Sequence, residues 1–147
     1  MSPPTPAEVA AAQRALAAEH ATVWAYGIIG PRSGDEKALD TTSFDAHRNA
    51  RDDLIAWLTA HGEQPVAARP GYELPFRIGD SGDAAALARR VEDGCCNAFA
   101  PLVAASADSE LRKLAVDQLI ACATRRMEWG GAPLRFPGLP GRGPTVP

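Results

Sequence analysis

What the chain lacks narrows it first. Fifteen Lys and Arg stand against eighteen Asp and Glu in 147 residues, a formal net charge of -3. A nucleic-acid binder carries a basic footprint, so no nucleic-acid partner is expected. No apolar run approaches the roughly 20 residues that cross a bilayer, so no membrane span is expected. The start, Met1-Ser2-Pro3-Pro4-Thr5-Pro6, has neither the charged nor the apolar region of a secretory signal. The three cysteines are an odd count, and Cys95 and Cys96 are neighbours, so neither a disulfide framework nor a paired Cys-x-x-Cys site follows. Reduced thiols in a cytoplasmic protein are the expectation. Glu-x-x-His occurs nowhere in the chain.

What is present reads as helix. The length suits one domain with its own core. Thr5-Pro6-Ala7-Glu8 is a capping box, and the helix it opens runs to about Ile29, where Gly30-Pro31 stops it through a left-handed cap. Its apolar stripe is Val9, Ala12, Leu16, Val23 and Gly27, with Glu19 and His20 on the flanks. Gly27 would admit a close neighbour. After a polar loop at 31–41, Thr42-Ser43-Phe44-Asp45 opens a second helix to about His61, with a stripe of Phe44, His47, Arg51, Leu54, Ile55 and Leu58. Pro65, Pro70 and Pro75 prevent a continuous helix over 62–82. Extended, that stretch reaches about 60 Å at about 3.3 Å per residue. It is long enough to run back along the bundle and start the third helix beside the second, pointing the same way. Tyr72, Leu74, Phe76 and Ile78 are its candidate fastenings.

Asp80-Ser81-Gly82-Asp83 caps the third helix, whose stripe is Ala84, Ala88, Val91, Cys95, Phe99 and Leu102, with Glu92 on the flank. Pro101 predicts a kink or a broken last turn. Asp108 or Ser109 caps the fourth, which reads Leu111, Ala115, Leu119, Cys122, Arg126 and Trp129 before Gly130-Gly131. From Gly130 to Pro147 there are five Gly and five Pro, too many for a regular element, although Leu134, Phe136 and Leu139 could dock part of it. The expectation is one all-α bundle over residues 1–130 and an irregular Pro/Gly-rich tail over 131–147.

Four segments then carry a resemblance: Glu19-His20 with Tyr26-Gly27, His47 followed by Arg51-Asp52 and Leu54, Tyr72-Glu73-Leu74-Pro75, and Glu92. Over roughly residues 8–130 the chain resembles a ferritin-like domain of unknown function, common in actinobacterial proteins. The resemblance implies a ferritin-like four-helix bundle with a long crossover between its second and third helices. It implies no reaction.

The chemistry turns on a carboxylate in an apolar stripe, which needs a partner. A di-metal centre in such a bundle takes a Glu from each of two helices and a Glu-x-x-His from each of the other two. Glu19-His20 are adjacent and diverge by about 100°. Asp45-Ala46-His47 is also misspaced. A reduced site for one iron, manganese or zinc ion is the alternative, with Glu19, His47 and Glu92 as ligands. Against it stands the cation Arg51, one turn from His47. In the favoured reading Glu19, His47, Arg51, Glu92 and Arg126, with Tyr26 at the edge, neutralise one another as a structural polar cluster. No cofactor is then needed. A third reading has Arg51 and Arg126 hold a small anionic ligand. A homo-oligomer is expected, and no residue pattern decides whether the protein is an enzyme.

Overall fold

Residues 2–139 are described in a computed structural model. The first helix, α1 (Pro6–Ile29), opens on the capping box: the Thr5 hydroxyl accepts from Glu8 N at 3.1 Å and Glu8 accepts from Thr5 N at 2.8 Å. Gly30 does not take the left-handed cap expected of it. It stays right-handed at φ -50, and the left-handed conformation comes at Gly34, φ +58, the first residue of the second of two short 3-10 turns. Helix α2 (Lys37–Ala60) therefore begins five residues before Thr42. The Thr41 and Thr42 hydroxyls donate back to the Lys37 and Ala38 carbonyls, so they lie inside the helix rather than capping it.

Helix α3 (Ser81–Ala105) is capped by Asp80, which accepts from Asp83 N at 2.8 Å. It continues through Pro101 to Ala105 without a break, four helical residues beyond the proline, whose missing N–H removes only the one bond to the Asn97 carbonyl. Asp108 caps α4 (Ser109–Glu128) by accepting from Glu110 N and Leu111 N. Glu8 ties the bundle end together: its other oxygen accepts from Ala107 N at 2.7 Å and Asp108 N at 3.0 Å, so a carboxylate of α1 caps the α3–α4 connection.

End contacts give the directions. Ser81, at the start of α3, lies against Gly34, beyond the end of α1. Gln13 near the start of α1 accepts from Val66 N and donates to Gln64 O, just past the end of α2. Helices α1 and α4 thus run one way, and α2 and α3 the other. Helix α1 packs on α2 and α3, and α4 packs closely on α3 and more loosely on α2. So α2 and α3 are parallel as expected, but they sit across the diagonal rather than side by side.

Residues 63–80 have no regular element. They run down α1, where His20 Nε2 donates to Val66 O at 2.9 Å, Tyr72 meets Trp24 at 5.7 Å between ring centroids, and Leu74 and Ile78 enter the apolar packing. Phe76 is no fastening, being 37% exposed. No described helix is long and apolar enough to cross a membrane. After Gly130, residues 131–139 cross α3; a Cβ on Gly138, at φ +75, would stand 2.2 Å from Cys96 O, so only glycine fits that crossing. Phe136 and Leu139 remain about half exposed while Leu134 is partly covered. The rest of the Pro/Gly-rich tail, 140–147, lies outside the described residues.

The core falls into two apolar clusters. One holds Leu16, Leu54, Leu58, Phe99, Leu102 and Leu111; the other holds Tyr26, Ile29, Ala84, Leu87, Ala88 and Trp129. Between them lies a polar layer to which every helix contributes one charged side chain: Glu19, His47, Glu92 and Arg125.

Candidate functional site

The buried face of α1 reads Glu8, Ala12, Ala15, Glu19, Thr22, Tyr26 and Ile29. Glu19 is therefore at the centre of the stripe, not on its flank, and is fully buried. Gly27 is exposed, with nothing within 4 Å of a Cβ placed there, so it admits no close neighbour. On α2 the buried series is Ser43, His47, Ala50, Leu54 and Leu58. The inward step from His47 is three residues to Ala50 rather than four to Arg51.

His47 is fully buried and sits between two carboxylates. Its Nδ1 lies 2.7 Å from Glu19 Oε2 and its Nε2 lies 2.8 Å from Glu92 Oε1. Carboxylates only accept, so an imidazole bonded to one at each nitrogen carries both protons and is a cation. Burial works against that charge, but the Glu19 carboxylate and the surrounding hydrogen bonds hold the His47 pKa well above its usual 6.5.

Glu92 Oε1 gathers three donors: His47 Nε2, the Tyr26 hydroxyl at 2.6 Å and Arg125 Nε at 3.0 Å. Burial raises its pKa, yet the His47 bond and charge, with Arg125 and Tyr26, bring it below 4.5. Burial also opposes the Arg125 charge, but Glu92 outweighs it and raises the pKa of the guanidinium. Tyr26 stacks on the His47 ring at 5.4 Å and accepts from Trp129 Nε1 at 3.0 Å. The result is two carboxylates, one imidazolium and one guanidinium without net charge, with Glu19 Oε1 and Glu92 Oε2 left without hydrogen-bond partners.

Two expected members are elsewhere. Arg51 turns outward to Asp52 at 2.8 Å, and Arg126 pairs with Asp93 beside α3. An anionic ligand held by that arginine pair gains no support, since both have carboxylate partners. Arg125 supplies the core cation instead. Glu19 and Glu92 lie at opposite edges of one imidazole, and a single ion can use only one ring nitrogen. Glu19, His47 and Glu92 therefore do not converge on one point.

A different trio does. Ligand atoms of Glu19, His47 and Cys95 all lie within 4.8 Å of one another. Cys95 follows Glu92 by three residues, which puts both on one face of α3. Its contact with Cys122, then burial and the Glu19 charge, hold the Cys95 thiol well above its usual pKa. The thiol also touches Thr22 Oγ1 at 3.2 Å. Burial likewise pushes Cys96 up to about 12. Burial and the Glu92 charge also raise the Tyr26 phenol, so it keeps its proton.

The remaining histidines do other work. His20 fastens the crossover, and His61 Nδ1 donates to Trp57 O at 2.8 Å, its ring 4.3 Å from that of Trp57. A cavity of about 250 Å³ lies between α1, α3 and the crossover, walled by Trp24, Tyr72, Leu74, Leu87 and Thr22.

The residues missed at the sequence level had weak signals. On α4 both Arg125 and Arg126 satisfy helical spacing from Cys122, three and four residues on, and the choice depends on how α4 is rotated against α3. Cys95 reads as an ordinary apolar stripe residue until Glu19 is placed opposite it.

A family model described as a domain of unknown function (DUF4439) matches residues 11–141. Among solved structures, the crystal structure of a conserved hypothetical protein, rv2844, from Mycobacterium tuberculosis is similar, at 34% identity and a TM-score of 0.82. The match covers 84% of this chain and 95% of that one. No curated protein matches the chain.

Proposed function

The chain belongs to the DUF4439 family, and from that premise we propose that it is a ferritin-like, non-enzymatic helical bundle whose buried charge cluster is structural. The observation that carries the reading is the His47 imidazole, bonded at both nitrogens to opposed carboxylates while Arg125 balances the second. With both nitrogens protonated, His47 has no lone pair to act as a base. The Cys95 thiol and Tyr26 phenol keep their protons for the reasons given, so the layer holds no free nucleophile. Its four charges come from four helices, and each pair forms only when those helices meet in one rotation and register. That supports a role in specifying the arrangement of the bundle.

A ferritin-like fold also implies a di-metal centre, and these residues do not fit one. Two carboxylates share a single imidazole, Arg125 fills one side of Glu92, and a cysteine stands where Glu-x-x-His would place its histidine. The cytoplasmic location is part of the same reading, supported by three cysteines that are all free. Association of this chain with itself is supported by Val116, Ile120 and Met127, exposed along α4, with Ile120 61% exposed.

Glu19→Ala tests the structural role. It leaves the His47 cation short of a partner in a buried layer, and the expected loss is about 3–5 kcal/mol in denaturant unfolding. Unchanged stability would sink the reading.

A further inference from the structure

Glu19, His47 and Cys95 offer a carboxylate oxygen, an imidazole nitrogen and a thiol sulfur within 4.8 Å of one another, all fully buried. Glu19 Oε1 has no hydrogen-bond partner. An unpaired, fully buried carboxylate oxygen is costly and marks a place where a positive ligand would be stabilised. Metal–ligand lengths of about 2.0–2.3 Å separate tetrahedral donors by about 3.3–3.8 Å. To admit an ion in place of its proton, the Glu19–His47 contact of 2.7 Å must open by about 0.6 Å, and a separation at the trio's 4.8 Å limit must close by about 1 Å.

We propose that Glu19, His47 Nδ1 and Cys95 Sγ form a binding site for one borderline-soft divalent cation of the zinc(II) class. The donor set selects the ion: thiolate and imidazole favour zinc-like metals over magnesium or calcium, which prefer all-oxygen sites. The rest of the cluster then reads as support. His47 Nε2–H keeps its bond to Glu92 while Nδ1 turns to the ion, the carboxylate–histidine–metal arrangement that orients a ligand imidazole. Tyr26 and Arg125 hold Glu92 in place for that task.

Charge balance also favours a divalent ion. Loading breaks the His47 Nδ1–H bond and the Cys95 Sγ–H bond, and both protons leave to solvent with no oxidation or reduction. Two positive charges are lost and two gained, so the buried layer stays neutral. The proton count rests on the self-neutralised reading of the cluster. Thr22 stands between Cys95, which it touches at 3.2 Å, and the 250 Å³ cavity under the crossover.

Cobalt(II) titration of the metal-free full chain, without oxygen or chelator and near neutral pH, tests the site. Expected are one cobalt per chain, a near-ultraviolet thiolate-to-cobalt charge-transfer band, displacement by zinc, and two protons released per ion. Cys95→Ser should lose the band while Cys96→Ser keeps it, with circular dichroism confirming that both are folded. No band in the native protein, or a band that survives Cys95→Ser, would overturn the site. Release of one proton with the band intact would support the site and refute the imidazolium of the structural reading.

Discussion

Replacing Arg125 by Met separates the two adjacent arginines that the sequence could not. The substitution keeps an unbranched apolar stem in the α4–α3 contact and removes the guanidinium from Glu92. Glu92 keeps His47 and Tyr26, but the layer moves from neutral to one net negative charge. Breaking a buried pair by removing one partner costs about 3–5 kcal/mol. The side chain is 11% exposed, so the lower end, about 3 kcal/mol, is the expected loss. At a urea slope of about 2 kcal/mol per molar, the unfolding midpoint should fall by about 1.5 M. Arg126→Met is the control. Arg126 is itself only 14% exposed, but its partner Asp93 is 39% exposed at the side chain, so water reaches the carboxylate left behind; the expected loss is about 1 kcal/mol and the midpoint should move by about 0.5 M. Equal losses in the two variants, or a larger loss in Arg126→Met, would refute the placement of Arg125 as the core cation.

Glu8→Ala should lower stability by about 2–4 kcal/mol in the same assay, because it strips the backbone N–H groups of Thr5, Ala107 and Asp108 of a buried acceptor; a loss within error would mean that water replaces the carboxylate freely. Stability should also be bounded on both sides in pH. The His47 pKa is raised above 6.5, so its contribution is full below pH 6.5 and is lost as pH rises through the raised value. The Glu92 pKa is lowered below 4.5, so its contribution is full above pH 4.5 and is lost as pH falls through the lowered value. Urea midpoints against pH should plateau between those limits and fall on either side, and a His47→Gln protein should lack the His47 part of the alkaline decline.

The capping signals were legible because they are local. Thr5 with Glu8, Asp80, and Asp108 each satisfy backbone donors within a few residues. The parallel course of α2 and α3 was legible from chain length alone, since only a long crossover allows it. Glu19, His47, Glu92 and Tyr26 could be singled out as polar groups on apolar stripes. Helix rotation was the limit. A stripe read at 3.6 residues per turn tolerates a one-residue error, and that error put Arg51 and Arg126 inside where Ala50 and Arg125 belong. It also set Glu19 on the flank; Cys95 was on the right stripe, and only the facing Glu19 sets it apart from its apolar neighbours. The start of α2 was missed because Thr42 resembles a cap, yet its hydroxyl is satisfied one turn back.

The central claim is that His47 is a buried imidazolium bridging two carboxylates. Nitrogen-15 spectra of histidine-labelled, metal-free protein at about pH 7.5, where an ordinary histidine is mostly neutral, measure it directly. The account expects the His47 resonances of a ring protonated at both nitrogens, lost in His47→Gln. A neutral ring with one bare nitrogen at that pH would contradict it, leaving the layer with an unbalanced negative charge and the structural reading without its support.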